Sequence, residues 1–124
     1  MNRHARRSDL RLFRHSVLLT HMIAADDAAA LGGHRLLRDA LANWQSGRGS
    51  RNAACLGCKA SLADPDAKVG AFLFALPLNV GGLVSTSAVC ARCWVTLPAS
   101  EVDAVCTRVL RKLAPGGRFL DARR

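Results

Sequence analysis

Two Cys-x-x-Cys pairs, Cys55-Leu-Gly-Cys58 and Cys90-Ala-Arg-Cys93, stand 31 residues apart in a chain of 124. Two residues between paired cysteines let both sulfurs face one ion from a single turn, while amides of that turn donate to the thiolates. Both turns must then meet in space, so the residues between them have to run out and return. In a reducing compartment this pattern points to a metal site and not to a disulfide framework. Four thiolates close a tetrahedral shell, which suits one structural Zn2+ per chain held by Cys55, Cys58, Cys90 and Cys93. A redox dithiol would need only one pair in a βαβ setting that is absent here, and the spacing matches neither ferredoxin pattern. Two disulfides would require export, and catalytic zinc would require an open coordination position. The fifth cysteine, Cys106, falls on an apolar helical face and reads as a small buried hydrophobe.

The intervening sequence supplies the return path. A polar loop from Lys59 to Lys68 contains Asp64-Pro65-Asp66, and the apolar run Val69 to Leu76 follows as a buried strand. Turn residues from Pro77 to Gly82 lead to a second strand, Leu83 to Val89, making a hairpin. The second cysteine pair comes next, in a short helical turn that Pro98 should end. Gly57 occupies a knuckle position that is expected to need a positive backbone dihedral. Cys90 and Cys93 are expected near helix N-terminal amides. Knuckle, hairpin and a helix carrying the last two ligands resemble a treble-clef zinc finger over Ala53 to Leu97. That class is shared by DNA-binding, adaptor and nuclease modules. The 31-residue gap exceeds the usual 15–20 of the short signature, so a zinc ribbon of two knuckles stays open.

On either side of this module the patterns read as helical. A basic segment over residues 1–7 precedes a helix expected from Ser8 to Leu31, whose apolar residues cover a broad arc. Gly32-Gly33 breaks it, and a second helix from His34 to Trp44 completes a helical hairpin that packs over the zinc module. Residues 45–52, polar and rich in Gly and Ser, read as a flexible linker. A final helix capped by Ser100 ends at Pro115-Gly116-Gly117, with Val102, Val105, Cys106, Val109, Leu110 and Leu113 on one face. The expected class is therefore α+β: a basic helical arm over 1–44, a linker over 45–52, and a four-cysteine zinc module with a C-terminal amphipathic helix over 53–124.

Eighteen basic against nine acidic residues give a formal charge of +9, and only three of the basic residues are Lys. Four zinc-bound thiolates change that by 2 − 4 = −2, leaving +7, so acidic partners are favoured electrostatically. The candidate nucleic-acid contacts are Arg3, Arg6, Arg7, Arg11 and Arg14 near one end, and Arg108, Arg111, Lys112 and Arg118, with Arg123 and Arg124, near the other. Few aromatic residues are available as stacking platforms, which points to phosphates or duplex nucleic acid. The alternative is a zinc-stabilised adaptor that binds another protein. No phosphate loop, Ser/His/Asp order or paired carboxylates occur, and His4, His15, His21 and His34 lack ligand spacing; neither enzyme activity nor a small-molecule substrate is expected. The apolar stretch from Ser16 to Ala25 is interrupted by His21 and followed by Asp26-Asp27, unlike an export signal. No run approaches the ~20 residues of a membrane span. A cytoplasmic protein is the expectation.

Overall fold

The computed structural model describes residues 17–78 and 82–121. Among these residues, four strands and three α-helices follow one another in the order β1 (Val17–Ala24), α1 (Arg35–Gly47), β2 (Val69–Pro77), β3 (Ser85–Cys90), α2 (Ala91–Thr96), α3 (Ala99–Leu113) and β4 (Arg118–Asp121). A 3-10 segment, Ala25–Leu31, links β1 to α1. The strands form one sheet in the order β3-β2-β1-β4. The hairpin expected between the cysteine pairs is present: β2 and β3 run antiparallel, with Phe72 opposite Ala88 and Phe74 opposite Thr86.

The segment around Val17 corrects the helical-hairpin expectation. Val17–Ala24 is not helical but the second central strand, antiparallel to β2 and parallel to β4. Residues 8–16 of the expected helix lie outside the described residues. A broad apolar arc reads equally well as a helix packed on several sides or as a strand covered on both faces. Here the second case holds. Leu18 packs with Leu73, Ala75, Val102, Cys106 and Leu110 on one side of the sheet. Ile23 packs with Leu31, Leu37, Trp44, Phe72 and Phe74 on the other. The sheet thus lies between α1 and α3, and β4, which no sequence pattern announced, closes its far edge beside β1.

A second correction concerns residues 45–52. Helix α1 continues through Gly47, and Arg48 is buried with 6% of its surface exposed. Its Nε donates to the Leu62 carbonyl at 2.6 Å, and a terminal nitrogen donates to the Ala67 carbonyl at 2.8 Å. The guanidinium also lies 5.1 Å from the Trp44 ring centre, a cation–π distance. A buried cation is tolerated when its donors are satisfied, and Arg48 satisfies them by clamping the loop between the first cysteine pair and β2. The Trp44 ring in turn meets Phe72 edge-on, with centroids 5.3 Å apart. Arg48 thus ties the end of α1 to that loop, while its neighbours from Gly49 to Asn52 are exposed.

The final helix starts two residues earlier than expected, with Pro98 and not Ser100 at its N-cap. It stops at Leu113, ahead of Pro115 as its sequence requires. No helix among the described residues is long and apolar enough to cross a membrane.

Candidate metal centre

The first pair sits on a knuckle built by its own backbone. The Cys55 N–H donates to the Ala60 carbonyl at 2.9 Å, and the Lys59 N–H donates to the Cys55 carbonyl at 3.1 Å. Ala54 pairs with Ser61 across the base of this turn. The left-handed conformation the turn needs falls on Lys59, with φ of 65°, and not on Gly57 as expected. Gly57 suits its position for a different reason. A Cβ there would stand 3.2 Å from Cys93 Sγ and 3.2 Å from a Leu97 methyl, so its lack of a side chain lets the knuckle close over the second pair.

The second pair marks the passage from strand to helix. Cys90 ends β3 and N-caps α2, its Sγ accepting the Cys93 N–H at 3.4 Å. Two contacts dock the knuckle on the edge of β3 and bring the pairs together. The Leu56 N–H donates to the Ala88 carbonyl at 3.0 Å, and the Cys90 N–H donates to Cys55 Sγ at 3.2 Å. Cys55 Sγ also accepts the Gly57 N–H at 3.3 Å.

All four sulfurs consequently lie within 4.8 Å of one another, and Cys58 Sγ and Cys90 Sγ are 3.8 Å apart. A tetrahedron with metal–sulfur bonds of ~2.3 Å has edges of ~3.8 Å, so the donor set fits a zinc-sized cation. Cys55, Cys90 and Cys93 are buried and Cys58 is exposed. With four thiolate donors the shell is closed and has the form of a structural site. The described residues contain no other group of three or more possible ligands.

Proton affinities within the cluster follow from these contacts. Burial pushes the Cys55 thiol up, but the N–H groups of Cys90, Cys58 and Gly57 together outweigh it and hold the thiol down to about 6. Burial, and then the surrounding sulfurs of Cys90, Cys58 and Cys55, push Cys93 up to about 12. Negative charge without a cation therefore gathers on Cys55, while Cys93 keeps its proton. A divalent cation relieves the repulsion that makes the later ionisations costly.

Cys106 is buried on α3, on the face of the sheet away from α1. It lines a cavity of about 270 Å³ with Thr20, Met22, Asp103 and Thr107. His21 lines the same cavity, and its ring centroid lies 6.3 Å from that of His34, at the start of α1. Cys106→Ser is expected to retain the full metal content, since this sulfur belongs to another apolar cluster. Metal analysis of the purified variant checks this; loss comparable to that in Cys90→Ser would place Cys106 among the ligands.

Of the candidate nucleic-acid contacts, Arg108, Arg111 and Lys112 are exposed on α3 and Arg118 is exposed on β4. The Arg111 guanidinium lies 4.9 Å from the Phe119 ring centre, which brings the ends of α3 and β4 together. Arg3, Arg6, Arg7, Arg11, Arg14, Arg123 and Arg124 fall outside the described residues. Sequence reasoning missed Arg48, whose apolar partner Trp44 four residues earlier was the available signal.

Taken by its site, the chain is a small α+β protein with a four-cysteine cluster positioned to bind a metal ion. It matches no protein-family model, no curated protein and no solved structure.

Proposed function

We propose that Cys55, Cys58, Cys90 and Cys93 hold one Zn2+ whose role is structural, joining the knuckle to β3 and α2. The observation that carries this reading is the meeting of four sulfurs within 4.8 Å on elements far apart in sequence. The treble-clef arrangement is favoured over a ribbon of two knuckles because Cys90 caps a helix and Cys93 lies in its first turn. Elemental analysis of protein purified under reducing conditions tests the assignment. One zinc per chain is expected, and a reduced, folded chain without metal overturns it.

The basic surface extends this to phosphate binding on duplex nucleic acid. Four exposed cations at the joined ends of α3 and β4 support it, together with the net charge that survives metal ligation. If about six Lys and Arg side chains neutralise phosphates, duplex affinity is expected to fall roughly a thousandfold between about 50 and 200 mM salt. Replacing Arg108, Arg111 and Lys112 by Gln should flatten that slope by up to about three counterions.

One observation favours the adaptor alternative. Trp94 and Val95 on α2 stay exposed, Val95 at 81%, beside the metal centre where a protein partner would find an apolar contact. Absence of duplex binding at low salt, with a protein complex that persists at high salt, decides for that alternative.

A further inference from the structure

The four sulfurs of the metal centre differ in ways that bear on their chemistry. Cys55, Cys90 and Cys93 are buried, and only Cys58 is exposed. Cys55 Sγ accepts backbone N–H groups from Gly57 and Cys90, and Cys90 Sγ accepts one from Cys93. Among the described residues no backbone N–H donor is directed at Cys58 Sγ. Hydrogen bonds spread a thiolate's charge and lower its nucleophilicity, and burial bars a reagent from reaching it. Cys58 thus combines the greatest access with the least shielding. Its sulfur also faces a specific second sulfur, Cys90 Sγ at 3.8 Å, which belongs to the other pair.

We infer that Cys58 is a modification site for hydroperoxides, with Cys90 as the residue that resolves the oxidised product into a disulfide between the two pairs. This rests on the zinc reading above, which makes both sulfurs donors to one ion and holds them side by side. The Cys58 thiolate attacks the terminal oxygen of hydrogen peroxide; an S–O bond forms, the O–O bond breaks, and hydroxide leaves. Cys58 is then a sulfenic acid, oxidised by two electrons, and the peroxide has been reduced by the same two. The Cys90 thiolate next attacks the Cys58 sulfur; an S–S bond forms, the S–O bond breaks, and a second hydroxide leaves. In sum, two thiolates and one peroxide become one disulfide and two hydroxides.

The consequence follows from where these sulfurs are attached. Closing from 3.8 Å to a bond of ~2.05 Å draws the tip of the knuckle onto Cys90, the residue that caps α2. It also removes two of four donors, leaving Cys55 and Cys93 as a pair that holds a cation far less tightly. A reductant that cleaves the disulfide regenerates the complete donor set, so the modification is reversible.

The experiment uses the full chain, loaded with zinc, its metal content measured first. It is treated with one equivalent of hydrogen peroxide, with and without a dimedone-type probe, and digested without reduction for mass spectrometry. A chromophoric chelator follows zinc release in parallel. The probe is expected on Cys58 first; without the probe, a peptide linked through Cys58 and Cys90 should accumulate as zinc appears. Cys58→His keeps a metal donor while removing the reactive sulfur and is expected to slow release at least about tenfold. A first label on Cys55, Cys90, Cys93 or Cys106 overturns the inference, as does a disulfide confined to one Cys-x-x-Cys pair. Equal release rates from Cys58→His and the parent chain overturn it too. A chain that takes up no zinc fails at the first measurement and overturns the zinc reading as well, whereas a loaded chain labelled elsewhere overturns only the assignment of Cys58.

Discussion

Cys55→Ser is expected to lower zinc affinity by about a hundredfold or more and to loosen the knuckle from β3. Structural sites supply roughly 10–16 kcal/mol of apparent binding energy, and one of four thiolates carries about a quarter of it, on the order of 3 kcal/mol. Cys55 is the most damaging ligand to lose. Its sulfur accepts N–H groups from both pairs, so removing it also releases the Cys90 amide that ties the knuckle to the start of α2. It is also 1% exposed within the larger core cluster, which leaves a hydroxyl poorly solvated in its place. Competition with a chelator of known affinity gives the first quantity, and amide hydrogen exchange over residues 54–61 gives the second. Retention of wild-type affinity would remove Cys55 from the donor set.

The same titration carries a pH dependence whose sign is set by the cluster. Cys93, pushed up to about 12, holds its proton throughout the neutral range and must release it when a metal binds. Affinity should therefore rise with pH by at least about tenfold per unit near neutrality, with more than one proton released if other thiols are also protonated. Below about pH 6 the Cys55 proton joins the competition and the dependence steepens. A flat profile would mean that the thiolates exist before the metal arrives.

Gly70→Ala should be the most disruptive change outside the ligands. A Cβ at residue 70 would stand 2.4 Å from Trp94 Cβ and 3.0 Å from both the Ala91 Cα and the Cys90 carbonyl oxygen. None of these is the free end of a flexible side chain. Helix α2 would have to retreat by about 1 Å to recover an ordinary contact of 3.4 Å, and that helix carries Cys93 and is capped by Cys90. Overpacking of this kind typically costs about 1–3 kcal/mol. Because it displaces two ligands, zinc affinity should fall together with stability. Gly70 stands at the irregularity in the β2–β3 register between Val69 and Ala71, where the strand passes beneath α2. Gly33→Ala serves as the control: nothing lies within 4 Å of its added Cβ, so its effect should be within about 0.5 kcal/mol. Denaturant unfolding of the zinc-loaded variants compares them, and equal stability of the two would show that α2 yields freely at Gly70.

The four-cysteine cluster and the hairpin that unites it were legible in the sequence alone. Cys-x-x-Cys spacing is a local constraint, since one turn presents both sulfurs, and a strand pattern flanked by turn residues implies that the chain reverses between the pairs. Each inference depends on neighbours within a few residues. The final helix was equally legible, because its apolar residues recur every three or four positions and a proline stands at each end. The remaining features depend on contacts between distant segments. Whether Val17–Ala24 becomes helix or strand depends on having β2 on one side and β4 on the other, and on apolar layers over both faces. Its local pattern is compatible with either, and sheet pairing between residues far apart settles it. Arg48 lies buried in a Gly- and Ser-rich stretch because the carbonyls of Leu62 and Ala67 converge on it. Gly57 and Gly70 are similarly fixed by what passes over them, a cysteine sulfur in one case and the base of a tryptophan in the other. Close approach between distant segments leaves no mark on local periodicity, which is why these positions emerge only once the chain has folded.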